Sequence, residues 1–355
     1  MNMKRVSIAM TFLGSLWLSA ASPAAHAAQC LVVTLTGTQS GPPLFKGQAG
    51  AGTLVRYGDD SNDCSAIKLQ FDAGRGTNMR LSQVGVTPGQ LTAIFFTHMH
   101  SDHTEGFADI MQLRWNFNSK GPKLDVVCAA DAASPLGHTL SCRKLAAHIA
   151  DPFVQSGEIA QRVSEDKERL PGGPADLANV ITFVPNNEPQ PVWSSGDVKV
   201  SAIRSTHIAG HASFRVDTPA GSVVIGGDAG NDVFAPPRAS STSEQVEMLA
   251  KGVDVIVHST MHPAMGPDRD SGMPAPVYHR QAGTADLGAM AKRVGAKHLM
   301  LTHLAPSLGA VRHGPYKVPG GPFTEADYRK VVQESGFAGN IIVGTDLASI
   351  RLPAK

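Results

Sequence analysis

Apolar runs of strand length recur along the chain, and several of them stop on a histidine or an aspartate. Leu91 to Phe96 is the most continuous, and the change to Thr97-His98-Met99-His100-Ser101-Asp102-His103 marks the exit of a buried strand into a polar turn. Leu31 to Gly37 reads as a first strand entering a turn through Gly41-Pro42-Pro43. That turn lacks the Gly-Lys-Ser/Thr ending of a phosphate loop, so a structural role is expected for it. Thr53 to Tyr57 and Ala66 to Phe71 read as a strand pair across the polar loop Gly58 to Cys64.

The later part repeats the event. Val198 to Arg204 alternates like a half-buried strand and delivers Ser205-Thr206-His207; Ser213 to Asp217 begins the return strand, and Ser222 to Ile225 ends in Gly226-Gly227-Asp228. Val253 to Val257 runs into His258, and Leu299 to Thr302 presents His303. Helical spacing separates these runs. Phe107, Ile110, Met111 and Trp115 form one stripe, with Thr104 as its expected N-cap. Ser243 to Lys251 and Thr284 to Val294 form two more helices, stopped by Gly252 and Gly295. Thr324 caps a last helix with Tyr328, Val331 and Val332 inward and Gly336 at its end, before final strands at Ile341 to Val343 and Ala348 to Leu352. Residues 119 to 190 are less patterned. A short strand is expected at Lys123 to Cys128 and a helix over Leu136 to Ile149. Glu165 to Glu168 with Pro171-Gly172-Gly173-Pro174 reads as a charged surface turn, and the whole segment is taken to shape the substrate entrance.

The chemistry lies where the strands end. Imidazole and carboxylate donors suit zinc, manganese or iron. On an extended segment His98 and His100 point the same way and can reach one metal, while the following turn can bring Asp102 and His103 toward a second. His98, His207, Asp228, His258 and His303 all fall at apolar strand ends, where sites assemble in sheets with helical crossovers. His138, His148, His279 and His313 are scattered by comparison. Asp72 is a candidate carboxylate for orienting a ligand histidine, or else a turn former.

Composition narrows the setting. The chain has 355 residues, 42% hydrophobic and 17% charged, with a net charge of +1, enough core for one large domain or two modest ones. It carries no basic field of the kind nucleic-acid binders show. Lys4 and Arg5, the apolar Val6 to Ala21 and Ala25-His26-Ala27 fit a signal peptide over residues 1–27, cleaved to leave residues 28–355 without a membrane segment in a periplasmic or secreted setting. Cys30, Cys64, Cys128 and Cys142 allow three disulfide connectivities in an oxidising compartment, of which Cys30 with Cys64 and Cys128 with Cys142 is the most local.

His98-x-His100-x-Asp102-His103, followed by Thr104-Glu105-Gly106 and later by lone His207, Asp228 and His303, resembles the metal-ligand set of the metallo-β-lactamase superfamily. The turn Asp72 to Thr77, the entry Phe96-Thr97-His98, Gly227-Asp228 and Val257-His258-Ser259-Thr260 are most similar to its ribonuclease Z and arylsulfatase-like branch. The resemblance implies an α/β, four-layer αβ/βα sandwich over the mature chain. It implies two Zn2+, with Mn2+ or Fe2+ possible: His98, His100 and His207 on one, Asp102, His103 and His303 on the other, Asp228 bridging. His211, four residues after His207, remains an alternative ligand. Asp102 and His258 are the implied catalytic groups, His258 as general acid or as a group holding the anionic ester. The branch's His-Glu-Ala-Thr lacks its glutamate here, which puts tRNA processing in doubt. The expected activity is attack of a metal-bridged hydroxide on a phosphodiester or sulfate ester. A lactonase or β-lactamase is the enzymatic alternative, and a non-catalytic metal-binding protein the alternative of another class. The expected partner is a small-molecule ester, with nucleic acid disfavoured and a homodimer possible.

Overall fold

Strand-forming residues fall into two sets, each building one sheet. The computed structural model describes residues 27–353, so the expected leader lies outside the described residues except for Ala27. Along the chain come β1 (Gln29–Gly37), β2 (Gly52–Asp59), β3 (Ile67–Phe71), β4 (Ala93–Phe96) and β5 (Leu124–Ala129), the short β6 (Ala132–Ala133) and β7 (Thr139–Leu140), and β8 (Ala178–Phe183). Then follow β9 (Gln190–Ser195), β10 (Val198–Arg204), β11 (Ala212–Thr218), β12 (Gly221–Ile225), β13 (Val255–Met261) and β14 (His298–Ala305). A small hairpin, β15 (Arg312–His313) and β16 (Tyr316–Lys317), precedes β17 (Asn340–Val343) and β18 (Ser349–Leu352). The two large sheets have seven strands each, ordered β18-β1-β2-β3-β4-β5-β8 and β17-β14-β13-β12-β11-β10-β9.

Strands joined by short turns pair antiparallel, as in β9 with β10 and β11 with β12. Strands joined by helices pair parallel, as in β3 with β4, β12 with β13 and β13 with β14. Helices cover the outer faces. On the first sheet lie α1 (Thr77–Gln83), α2 (Ser101–Thr104), α3 (Phe107–Asn118), α4 (Cys142–Ala147), α5 (Asp151–Gln155) and α6 (Glu158–Glu165). On the second lie α7 (Glu244–Leu249), α8 (Ala275–His279), α9 (Thr284–Val294) and α10 (Glu325–Glu334).

Side-chain alternation explains the layering. Phe95 faces the space between the sheets with Val33, Phe71, Phe214, Val255 and Val257; its neighbour Phe96 faces outward onto Phe107, Ile110 and Trp115. Phe95 lies 4.6 Å from Phe71 and 5.5 Å from Phe214, ring to ring. Ile256, Leu299 and Leu301 face the other way, onto Leu287, Met290, Tyr328 and Val332 of α9 and α10. The result is helix, sheet, sheet, helix, the expected αβ/βα sandwich. Disulfides join Cys30 to Cys64 and Cys128 to Cys142, with Cα separations of 5.3 and 6.4 Å.

Four local expectations change. Gly106, not Thr104, precedes α3; Thr104 closes α2 and gives its hydroxyl hydrogen to the His100 carbonyl at 3.1 Å. The helix expected over Leu136 to Ile149 shrinks to Cys142–Ala147, because the chain first reverses through the β6–β7 ladder, where Leu136 and Gly137 both take positive φ. The segment 119 to 190, expected to shape the substrate entrance, supplies a sheet edge: its β8 pairs in parallel with β5 along six residues. Finally, β13 runs on to Met261, so His258 lies within a strand rather than at its end.

Candidate metal centre

One carboxylate organises the first half of the centre. Asp72 follows β3 with φ +53 and accepts three hydrogen bonds, from Thr97 N, Thr97 Oγ1 and His103 Nδ1, each at 2.8 Å. Since Nδ1 of His103 is turned to Asp72, its Nε2 is the nitrogen that faces the centre. The Thr97 hydroxyl, having given its hydrogen to Asp72, accepts from His98 Nδ1 at 3.0 Å, which frees His98 Nε2 as well. The backbone zips the same pieces together: Ala73 N reaches the His103 carbonyl at 2.7 Å, and Gly106 N reaches the Ala73 carbonyl at 2.8 Å. Gly74 is required there, because a Cβ would stand 2.2 Å from the Asp102 carbonyl oxygen.

The second half arrives on separate strands. His207 follows β10, and its Nε2 lies 3.4 Å from His100 Nδ1. Asp228 follows β12 and is placed by a directed relay. Its amide donates to His211 Nε2 at 3.2 Å, His211 Nδ1 therefore donates to Ser205 Oγ at 2.8 Å, Ser205 reaches Ser213 Oγ at 2.7 Å, and Ser213 donates to the Gly226 carbonyl at 2.8 Å. Both nitrogens of His211 are thus engaged away from the cavity, and His207 is the histidine turned toward His98 and His100. His303 is the extra residue of a bulge: the β13–β14 register steps from Thr302 to Leu304, and His303 takes φ +47. Such an irregularity re-aims a side chain at a cost of about 1–3 kcal/mol.

The donor atoms converge in three overlapping groups. His98, His100 and His207 form one, His98, His103 and Asp228 another, and Asp102, His103 and His303 a third, with donor atoms within 4.8 Å of one another in each group. Asp228 lies between them, Oδ1 3.6 Å from His103 Nε2 and Oδ2 3.5 and 3.7 Å from the Nε2 atoms of His303 and His207. His303 Nε2 is also 3.1 Å from Asp102 Oδ2 and accepts from the Gly41 amide at 3.2 Å.

The electrostatics fit a cation. Burial lowers His98 well below its ordinary value and His207 to about 3, leaving both rings neutral. Burial works to raise Asp102, but the His303 hydrogen bond and the charges of His103 and His303 outweigh it and bring it to about 2. Asp228 likewise stays well below the carboxylate range, because His303 and His103 overcome the effect of its burial. His103 moves the other way: burial lowers it, yet Asp228 and Asp72 hold it well above its ordinary value, so a cation would take the place of the proton on Nε2. His103 Nε2 and Asp228 Oδ1 are buried without a hydrogen-bond partner. Each such orphan costs about 1–3 kcal/mol, and a bound divalent cation would satisfy both.

The centre opens into a cavity of about 440 Å³ that reaches His100, Asp102, His207, Asp228 and His303. His258 is not among its walls. It is fully buried, donates from Nδ1 to the Ser259 carbonyl at 2.7 Å, and packs so tightly behind Gly226 that a Cβ there would lie 2.1 Å from its ring. Burial also lowers its pKa, and with no place in the cavity wall His258 gains no support from the structure for the expected general-acid role. The walls include residues that the sequence reading passed over, namely Ser40 and Gly41 from the turn taken as structural, Arg280 and Gln281 after α8, and His313 and Tyr316 on the β15–β16 hairpin. His313 had the look of a scattered histidine. No periodicity marks it, since the hairpin strands are two residues long.

Known proteins share this architecture. Ribonuclease Z from Mycobacterium bovis is 25% identical over 326 residues, covering 91% of this chain and 98% of its own. A metallo-β-lactamase fold protein from Bacillus subtilis superposes with a TM-score of 0.57 at 17% identity, covering 91% of this chain and all (100%) of its own. The short form of human tRNase Z does so with a TM-score of 0.56 at 18% identity over the same shares, 91% and 100%. The ribonuclease Z relatives, similar along nearly the whole chain, overturn the expectation that nucleic acid is disfavoured as a partner: a near-zero net charge describes the chain as a whole and does not decide what its site accepts. The family described as anti-Pycsar protein Apyc1 matches residues 62–265, and the chain belongs to that family, within the ribonuclease Z branch of the metallo-β-lactamase superfamily.

Proposed function

We propose that the protein is a two-zinc phosphodiesterase acting on esters of the kind that link nucleotides, and that it works outside the cytoplasm. The observation that carries this reading is Asp228, whose two oxygens face histidines of both donor groups at 3.5 to 3.7 Å. His98, His100 and His207 would hold one ion and Asp102, His103 and His303 the other, with Asp228 shared. When bound, such a pair supplies Lewis acidity, favouring attack by water near neutral pH and stabilising charge that develops on the ester oxygens. The chain's own residues do the orienting. Asp72 orients His103 directly and His98 through Thr97, the His211 relay fixes the turn that carries Asp228, and the Gly41 amide donates to His303 Nε2 at the cavity wall.

Relatives named ribonuclease Z support a phosphodiester over a sulfate ester or a lactam. The two disulfides and the apolar leader sequence support an oxidising compartment; an intact mass matching cleavage after Ala27 tests that part. The activity is tested by elemental analysis together with turnover of bis(p-nitrophenyl) phosphate, p-nitrophenyl sulfate, a lactone and a β-lactam, wild type against Asp228→Ala. About two metals per chain, and phosphodiester turnover reduced at least ~100-fold in the variant, are expected. Turnover confined to the lactone or lactam, or indifferent to Asp228, would remove the reading.

A further inference from the structure

Arg280 is a half-buried arginine that the fold leaves without a partner. Among the described residues its guanidinium makes no hydrogen bond and no ion pair, and Nε is buried. Every other described arginine except the exposed Arg269 donates to a side-chain or backbone oxygen. Leaving these donors unsatisfied is unfavourable, so a fold that pairs the others and spares this one has a use for it.

Its position says what that use is. Arg280 follows α8 and lines the same cavity as the metal-competent residues. Its backbone is pinned against the turn after Asp228: a Cβ on Gly230 would lie 2.4 Å from the Arg280 carbonyl oxygen, and Gly230 N is bonded to the Thr206 carbonyl at 2.8 Å. Placement therefore comes from the backbone and needs no salt bridge. Arg280 shares the cavity wall with His100, His207, His303 and His313. Asp102 and Asp228 do not neutralise it, because their oxygens face the histidines. A planar fork of N–H donors without a carboxylate partner matches the paired oxygens of a phosphate.

We propose that Arg280 is the anion clamp of the centre: it receives the charged, non-bridging oxygens of the substrate phosphodiester and selects charged esters over neutral ones. The assignment deepens the phosphodiesterase reading and rests on it for the identity of the substrate. The test uses the zinc-loaded full chain with Arg280→Met and Arg280→Lys. Calorimetric affinity for inorganic phosphate should fall roughly 10- to 100-fold in the methionine variant and less in the lysine variant. KM for bis(p-nitrophenyl) phosphate should rise by a similar factor, while kcat/KM for neutral p-nitrophenyl acetate and the zinc content stay at wild-type values. Unchanged phosphate affinity, equal losses on charged and neutral esters, or loss of zinc would each overturn the clamp. A wild type that binds phosphate through Arg280 yet hydrolyses no phosphodiester would keep the clamp and remove the activity proposed above.

Discussion

The two halves of the centre are built by different means. His98, His100, Asp102 and His103 come from one strand exit and one short helix, and a single carboxylate, Asp72, governs the protons on two of their rings. His207, Asp228 and His303 come from three strands, each placed by its own device: a strand exit, the His211 relay and a bulge. The first half is therefore a unit that should fail all at once. The second should fail one ligand at a time.

The largest effect is expected from Asp72→Ala. It strands Thr97 and His103 in a buried site, for a loss of about 3–5 kcal/mol, and it should empty both metal positions. Denaturant unfolding and elemental analysis check this; retention of one full equivalent of metal would break the picture of a single unit. Stripping metal with a chelator removes the same support from outside. If binding is saturated about a hundredfold above Kd, the loss is about 2.7 kcal/mol, read as a melting temperature several degrees lower that recovers on adding zinc. His211→Ala probes the other half. Losing the acceptor for the Asp228 amide should cost about 1–3 kcal/mol and weaken metal binding about 10- to 100-fold; an equal effect on every ligand would erase the contrast between the halves.

The smallest effect isolates a histidine outside the centre. His262 stacks on Phe323 at 4.1 Å, and burial lowers it to about 4 from 6.5. Between those values the unfolded chain binds the extra proton, so His262 contributes stability that is complete above about pH 6.5 and is lost as pH falls toward about 4. His262→Asn keeps an acceptor for the Ala264 amide and removes the titration. In metal-free protein its melting temperature should drop less than that of wild type across this window. Identical acid sensitivity would assign the whole effect to the other buried histidines.

The same contrast explains what could be read from residue order. His98 to His103 was legible because strand, turn and donors are consecutive, and Phe95 and Phe96, buried on opposite faces, produce the continuous apolar run before them. The layered fold was legible through the family resemblance that His98 to His103, Asp228 and His303 carry, with which the apolar runs of β4, β12 and β13 agree. His258 misled because an apolar run followed by histidine looks the same whether the strand stops or continues to Met261. Arg280 and His313 had no local signal at all, since their meeting with the centre depends on where α8 and the small hairpin dock. The strand at Ala178–Phe183 was missed because an edge strand is only half-buried and its alternation is diluted.

Asp346 gives the assembly an order in time. Its carboxylate accepts from Thr38 N, Thr38 Oγ1, Ala49 N and Arg80 Nε, and so ties down the ends of the loop that carries Ser40 and Gly41 over the cavity. Directly after it, β18 pairs with β1, where Thr34 and Ser349 meet across a separation of 315 residues. During synthesis every donor side chain has therefore emerged before the residue that closes the loop above them. A chain interrupted between His303 and Asp346 would carry the full set of metal-binding groups beneath an unfastened roof, with the edge of β1 exposed to the first strand that could pair with it.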